Sequence, residues 1–203
     1  MQKSNAEIVK DVRLCMDESA ENVSELIGST DNEELDKIIE SKLAEAYRWV
    51  NVSADDLLLE PENKTESVIT DNKGVARLNV PYTILRVLGI KLPSWSRYVS
   101  TYIRATDKAY AELSNPITTG TKDNPKVAIL NNGDGYGYTF ELYGGSGTET
   151  ATYLYIDDWK DDNNDISDKV YDAMVTYCAG LTFKTFKDAH GDVLMNQAIA
   201  NIK

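Results

Sequence analysis

The part of this sequence closest to a metal-binding motif is the acidic run DDNNDISD at 161–168. Side chains that carry oxygen follow the spacing of a calcium-binding loop: Asp161, Asn163, Asp165, Ser167 and, at the twelfth place, Asp172. Such a loop needs glycine at its sixth place, where this chain has Ile166, and a ligand at its ninth, where it has Lys169. The run therefore predicts the acidic start of a helix, because carboxylates stabilise the positive end of the helix dipole.

A second segment, Gly133-Asp-Gly135-Tyr-Gly137, has the glycine content of a nucleotide-binding loop. A dinucleotide-binding loop lies between a strand and a helix, whose amide groups and dipole bind phosphate. Here the alternating run YTFELY follows, which predicts a strand. Asn132-Gly133 and Asp134-Gly135 tolerate positive φ, so the segment predicts a β-hairpin connection.

Few residues of this chain could support nucleophilic catalysis. His190 is the only histidine, so a catalytic triad has a base only there. Cys178 lies in an apolar helical stripe, which favours a buried thiol. Cys15 lies on another predicted helix face, and we expect both thiols to remain unpaired in a reducing compartment.

Carboxylate pairs such as Asp157 and Asp158 could in principle serve a glycosidase. Asp and Glu total 33 residues, so adjacent carboxylates are expected from composition alone. No nucleophile, base and orienting group can be assembled from these residues. The sequence therefore predicts no catalytic residue, no bound cofactor and no metal site.

The charge balance limits the kinds of partner. Lys and Arg total 21 against 33 acidic residues, which gives a net charge of −12. Binding of nucleic acid depends on Lys and Arg displacing counterions, so a main activity of that kind is disfavoured. No run approaches the roughly 18 apolar residues that span a bilayer, and the N-terminus lacks the apolar core of a signal peptide. We expect a cytoplasmic chain.

Two amphipathic helices are predicted at the N-terminal end, over 4–27 and 31–50. Ser4 with Glu7, and Thr30 with Glu33, form capping boxes before apolar stripes of helical spacing. Gly28 ends the first helix. Ser53 is predicted to cap one further turn before Pro61.

From residue 62 the pattern changes to the alternation of strands. The stretch 125–156 carries the strongest signal: Tyr138, Phe140 and Leu142 share one predicted face, and Thr139, Glu141 and Tyr143 the other. Further strands are predicted near 76–80, 85–92 and 98–103. Between these and 125 we expect a two-turn helix over 107–113, capped by Thr106.

A helix of about five turns is predicted from Ile166 to Phe186, ended by His190-Gly191 and followed by a short final helix. The order helices, strands, helices indicates an α+β fold with a central, mainly antiparallel β region. The predicted segments are 1–61 (helical), 62–160 (β-rich) and 161–203 (helical), with the helical segments sharing one domain.

Three parts of the chain together resemble a known family. They are ELDKIIESKLAEAYRWVNVSADDLLLE, the pair RLNVPYTILRVLGIKLPSW and FELYGGSGTETATYLYI, and the closing DKVYDAMVTYCAGLTFKTFKDAHGDVLMNQAIANI. This series is similar to head-to-tail connector proteins of tailed bacteriophages, in particular neck ring proteins of crAss-like and other Bacteroidales phages. The resemblance implies a virion adaptor without enzymatic activity. It would assemble in the host cytoplasm, dock beneath the portal protein and contact adjacent neck or tail proteins.

The family also implies a ring of about twelve copies through which genomic DNA passes without specific binding. A carboxylate-rich channel would repel phosphates and let DNA slide. Ring contacts join two different faces of the subunit, and basic residues between predicted strands could pair with acidic helical ends. We expect subunit contacts at Arg86, Arg97, Arg104, Tyr136, Tyr143, Tyr153 and Tyr155.

The twelve tyrosines allow an alternative. Outward tyrosines offer apolar area with a polar tip, which suits a carbohydrate-binding or protein-binding surface module as well as a subunit interface. The missing signal peptide counts against a secreted module of that kind.

Overall fold

A computed structural model of the protein describes residues 2–19, 32–131, 137–160 and 164–203. The fold is α+β, as predicted. The helices are α1 (Asn5–Ser19), α2 (Asn32–Ser53), α3 (Lys108–Glu112), α4 (Asp168–Thr185) and α5 (His190–Asn201). The strands are β1 (Gln2–Lys3), β2 (Glu62–Ile69), β3 (Val75–Val80), β4 (Ile84–Lys91), β5 (Ile103–Arg104), β6 (Lys126–Asn131), β7 (Tyr138–Tyr143), β8 (Thr148–Asp157) and β9 (Asn164–Asp165). Contacts divide the chain into a helical unit, 1–60 with 159–203, and a β unit, 61–158.

In the helical unit, α4 packs against α1, α2 and α5. Twelve of its 18 residues are buried, which explains a sequence that is apolar on most sides. Trp49 of α2 stacks on Tyr177 of α4 with ring centroids 3.8 Å apart, and Arg13 of α1 pairs with Asp36 of α2. Helix–helix packing therefore supplies the core of this unit.

Both ends of α4 follow from local chemistry. Ser167 caps the start, accepting a bond from the Lys169 amide, so the acidic run does lead into a helix. The helix ends at Thr185, and Lys187 has a positive φ of 61°. The prediction that His190-Gly191 breaks the helix is wrong, because His190 begins α5 instead.

At the N-terminal end the capping box is confirmed. The Ser4 hydroxyl accepts from the Glu7 amide, and the Glu7 carboxylate accepts from the Ser4 amide. The predicted Thr30 cap and Gly28 stop lie outside the described residues. The predicted Ser53 cap is wrong, because α2 runs through Ser53 and Asp55 caps the next 3-10 turn by accepting from the Leu57 amide.

The β unit contains two sheets of the described strands. One has the order β2-β8-β4 and is antiparallel. The other has the order β3-β7-β6-β5, in which β5 and β6 are parallel and the other pairs are antiparallel. The strongest predicted stretch, 125–156, therefore divides between sheets: β6 and β7 form a hairpin, whereas β8 pairs with β2 and β4. The residues that connect β6 and β7, 132–136, lie outside the described residues.

Two predicted elements of this unit differ from the structure. Over 98–103 only Val99 bridges Ile90, and the strand begins at Ile103, so the predicted strand is mostly wrong. The predicted Thr106 cap is also wrong. The residue before α3 is Asp107, whose carboxylate accepts instead from the Arg104 amide. Local turn bonds override strand propensity here.

The core of the β unit lies between its apolar strand faces. Fully buried members include Leu78, Ile90, Leu92, Phe140, Leu142 and Tyr153. The described helices include none long and apolar enough to cross a membrane.

Candidate functional site

The most concentrated polar chemistry in the described structure surrounds Glu141 in β7. Glu141 lies directly opposite Arg77 of β3 in the antiparallel register. The Arg77 guanidinium donates Nε and Nη2 to Glu141 Oε1 at 3.3 and 3.2 Å. Cross-strand neighbours of opposite charge stabilise a sheet, and this pair uses the forked geometry that arginine offers carboxylates.

Two tyrosines complete the cluster on the second carboxylate oxygen. Tyr110, in α3, and Tyr143, two residues along β7, each donate a hydroxyl to Glu141 Oε2 at 2.9 Å. The Glu141 side chain is 9% exposed and that of Arg77 is 65% exposed. A buried carboxylate thus receives four hydrogen bonds, while the guanidinium that neutralises it reaches solvent.

The apolar packing around the cluster fixes these tyrosines. Tyr143, Leu113 and Ala128 form a small buried cluster, with Tyr110 and Ile103 packed against it. Short helix α3 therefore lies over the face of the sheet that alternation alone would expose. This arrangement explains why Glu141 and Tyr143 are buried.

Burial, followed by the bond to Glu141, raises the pKa of the Tyr143 hydroxyl well above its ordinary value. The same causes in the same order raise the pKa of Tyr110. Both phenols are therefore protonated donors at neutral pH. They cannot serve as general bases there, which makes the cluster suited to holding shape and binding polar groups.

An open cleft of about 710 Å³ adjoins the cluster. It is lined by Asp71, Asn72, Lys73, Val75, Arg77, Tyr110, Ala111, Leu113, Ser114, Pro116, Glu141 and Tyr143. The cleft thus has an aromatic and aliphatic side next to an arginine and a lysine. Its volume is in the range typical of ligand sites.

The rim of this cleft is a preformed turn between β2 and β3. Asp71 Oδ1 accepts from the amides of Lys73 and Val75 at 2.8 and 3.0 Å. The bond from Val75 is the main cause that lowers the pKa of Asp71. Gly74 closes the turn with φ of 78°. The carboxylate of Asp71 is therefore committed to the backbone of its own turn.

A second cavity of about 370 Å³ shares Lys73 with the first. Its lining contains glycine, serine and threonine residues together with Lys122. Gly144 needs its positive φ of 94° here, and a Cβ at that residue would lie 2.5 Å from the Thr121 carbonyl carbon. The backbone therefore forms much of the wall.

No protein-family model matches this sequence, and no curated protein is significantly similar to it.

The structure places two of the four predicted interface tyrosines in the interior. Tyr143 is 7% exposed and Tyr153 is fully buried, so the prediction that they present an outward face is wrong. Tyr143 is covered by α3, and Tyr153 belongs to the core of the β unit. Tyr155 is half-buried and donates to Glu62, and burial followed by this bond raises the pKa of its hydroxyl to about 12. Tyr136 lies outside the described residues.

The three predicted interface arginines lie on separate elements. Arg86 is half-buried in β4 of one sheet, whereas Arg104 is exposed in β5 of the other. Arg97 is exposed between them in sequence and donates to Asn124. Their role as subunit contacts stays a prediction.

The acidic run, His190 and the two cysteines form no binding or catalytic site among the described residues. Asp161 and Asn163 lie outside the described residues, and among the residues that are described no group of three His, Cys, Asp or Glu side chains could hold a metal. His190 bonds to Asp188 at 2.9 Å. Neither Cys15 nor Cys178 forms a disulfide, as expected.

Sequence reasoning missed Glu141 as a site residue. The period-two pattern assigned it to the outer face, which is correct as geometry, but the pattern contains no sign of α3 covering that face. A second missed feature is the contact of Tyr82 with Tyr138, whose rings lie 5.7 Å apart at 81°. Tyr138 shares a predicted strand face with Phe140 and Leu142, yet it is 37% exposed.

Proposed function

We propose that this chain is a structural head-tail connector subunit of a tailed-bacteriophage neck. It docks beneath the portal protein as part of a homo-oligomeric ring of about twelve copies and contacts adjacent neck or tail proteins. Its place is the virion neck, and it needs no cofactor. The proposal continues the resemblance of layout described above.

The observation that carries the proposal is an exposed aromatic pair at the base of the β6–β7 hairpin. Tyr82 is 47% and Tyr138 is 37% exposed, and their rings meet edge to face. The Tyr82 hydroxyl also lies 3.5 Å from Asn131 Oδ1, at the end of β6. Tyrosines are enriched in protein interfaces, and a fixed pair loses little side-chain entropy on binding.

The charge of the chain supports the channel role. A net charge of −12 gives a ring of copies a strongly negative field. DNA phosphates are repelled by such a surface, which suits a conduit because binding would slow passage.

Binding of carbohydrate is the alternative, and the aromatic pair favours it less. Sugars stack on flat ring faces, whereas Tyr82 and Tyr138 meet at 81° and so provide no common plane. Protein contact, which accepts edge-to-face aromatics, suits this geometry better.

Electron microscopy of the protein alone and mixed with a candidate portal tests the proposal. We expect annular particles in at least the mixture, and loss of these particles for the Tyr82→Ala/Tyr138→Ala variant. Tyr98→Ala is the matched control, since Tyr98 is 44% exposed in the same unit. A protein that never joins any portal but binds a glycan array would overturn the proposal.

A further inference from the structure

Lys73 and Lys122 of the β unit form no salt bridge among the described residues, although the chain carries 33 acidic residues. Lys73 and Lys122 are both exposed, and both line the second cavity. Lys73 also lines the larger cleft beside Arg77. We name the two cavities together the basic groove.

The carboxylates that border the basic groove are committed to other donors. Glu141 accepts hydrogen bonds from the Arg77 guanidinium and two phenols, and Asp71 accepts hydrogen bonds from two backbone amides of its turn. Glu149 accepts from the amides of Ser94 and Ser146 at 2.9 Å. The ammonium groups of the two lysines and the outer edge of the Arg77 guanidinium therefore remain available to bind an anionic ligand.

The larger cleft also offers an apolar side. Tyr110, Leu113 and Pro116 line it, and the next residue, Ile117, is 91% exposed. The Ile117 amide donates to the Asn115 side chain, which fixes the loop that displays it. A ligand that combines carboxylates with a large apolar side chain fits this combination.

The helical unit displays a segment of that chemistry. Residues 55–60, named here the acidic turn, read DDLLLE and include the 3-10 turn after α2. Leu57 in this turn is 81% exposed, and Asp55 and Glu60 are exposed beside it.

The acidic turn is held in one shape. Lys169 Nζ donates to the Leu57 carbonyl at 3.2 Å, and Ser167 Oγ donates to the Leu58 carbonyl at 2.8 Å. Asp55 caps the turn from its other side. A rigid acidic and apolar projection loses little entropy on docking.

We propose that the basic groove of one subunit binds the acidic turn of a second copy of this chain. Leu57 packs against the apolar side of the larger cleft, and the carboxylates of the turn pair with Lys73, Lys122 and Arg77. This inference rests on the proposed function, since a ring needs two different complementary faces on each subunit. Charge complementarity and the matched apolar surfaces identify the acidic turn as the segment that the groove binds.

Peptide binding to the full chain tests the groove directly. A synthetic peptide of residues 53–63 is titrated into labelled protein and followed by NMR, beside a peptide with Asp55, Asp56 and Glu60 changed to Asn, Asn and Gln. We expect shifts at Lys73, Gly74 and Gly144, and about tenfold weaker binding of the substituted peptide, because two or three ion pairs are lost. Equal affinity of both peptides, or absence of binding, would overturn the proposal.

Charge reversal in the full chain tests the contact between subunits. Lys73→Glu/Lys122→Glu reduces portal-templated assembly by about tenfold or more, because like charges then face each other. Adding Asp56→Lys restores assembly at least in part. Lys37→Glu, an exposed lysine of α2, is the matched control and leaves assembly unchanged. If the Lys73→Glu/Lys122→Glu variant is folded by circular dichroism and still assembles like wild type, the proposed groove contact is wrong.

The two proposals fail in different ways. If rings form but neither peptide nor charge reversal has an effect, the connector function stands and the groove contact is wrong. If the peptide binds but no portal or ring assembly ever occurs, the groove contact stands and the connector function is wrong.

Discussion

The carboxylate of Glu141 and the guanidinium of Arg77 face each other across the β3–β7 pairing, with Nε and Nη2 donating to one oxygen at 3.3 and 3.2 Å. The two residues are 64 positions apart in sequence, and the segment between them includes α3, whose Tyr110 donates to the other oxygen. One ion pair thus joins two neighbouring strands and the helix that covers them.

Removal of the carboxylate leaves these donors without their acceptor. We expect Glu141→Ala to lower the free energy of unfolding by about 1–3 kcal/mol, chiefly because the buried Tyr143 hydroxyl loses its partner. Arg77 is mostly exposed, so water solvates its charge and moderates the loss. Urea denaturation followed by circular dichroism measures the change. Arg104→Ala, an exposed arginine of the same sheet, is the control and stays within about 0.5 kcal/mol of wild type. A Glu141→Ala variant as stable as that control would contradict the role given to the cluster.

The raised pKa of Tyr143 predicts a loss of stability in alkali. Its folded pKa exceeds the unfolded value of 10.0, so the stabilisation is fully present below pH 10 and declines as pH rises through the folded pKa. The cause is that the unfolded chain releases this proton more readily than the native chain does. Unfolding free energies measured from pH 9 to 11 for wild type and Tyr143→Phe should therefore converge as pH rises. Parallel pH profiles of the two proteins would show that Tyr143 is not the group responsible.

Gly144 and Gly147 offer a matched test of backbone constraint in the turn after β7. Both have positive φ, of 94° and 65°, but only Gly144 has backbone atoms where a Cβ would stand. Gly147→Ala should cost about 1 kcal/mol for the left-handed conformation alone. Gly144→Ala should cost about 1–3 kcal/mol more, because Thr121 must move. Thermal unfolding of both variants decides this, and equal losses would show that the close approach at Thr121 relaxes freely.

Cys178 should resist alkylation in the folded protein. It is fully buried in α4, and burial, the largest cause, together with the nearby Cys15 raises the pKa of its thiol to about 12. The thiolate is the reactive form, so modification must wait for opening of the helical unit. Iodoacetamide labelling at pH 8 with mass spectrometry should show Cys178 modified only when denaturant is added. Labelling of Cys178 in native buffer at the rate seen in denaturant would contradict its burial.

Local signals were sufficient for most elements. The capping box at Ser4 and Glu7, the helix α4 and the strand β7 were each predicted from neighbours within about four residues, and each is confirmed. Errors occurred where a turn competed with a regular element. Asp107 rather than Thr106 precedes α3, and its carboxylate accepts from the Arg104 amide instead of capping the helix, a local bond that spacing does not reveal.

The candidate site required the fold. The sequence near Glu141 does not indicate that Arg77 or Tyr110 will contact it. Alternation correctly placed Glu141 and Phe140 on opposite faces of β7, but it did not reveal that α3 covers the Glu141 face. Burial of Tyr143 was missed for the same reason, because α3 covers its side of the strand. Tyr153 instead lies in the core of the β unit with Ala151, and alternation alone does not decide which face of a strand is the inner one.

Composition and short-range pattern determined that this chain is an α+β protein with a large acidic excess and with helices at both ends. They did so because caps, periodicity and net charge are properties of neighbouring residues or of simple sums. Only the tertiary structure decided that the 125–156 stretch divides between two sheets, that Glu141 is clamped by an arginine and two tyrosines, and that Lys73 and Lys122 line one groove. Those facts depend on strand order and on the position of α3, which arise from burial of surfaces far apart in sequence.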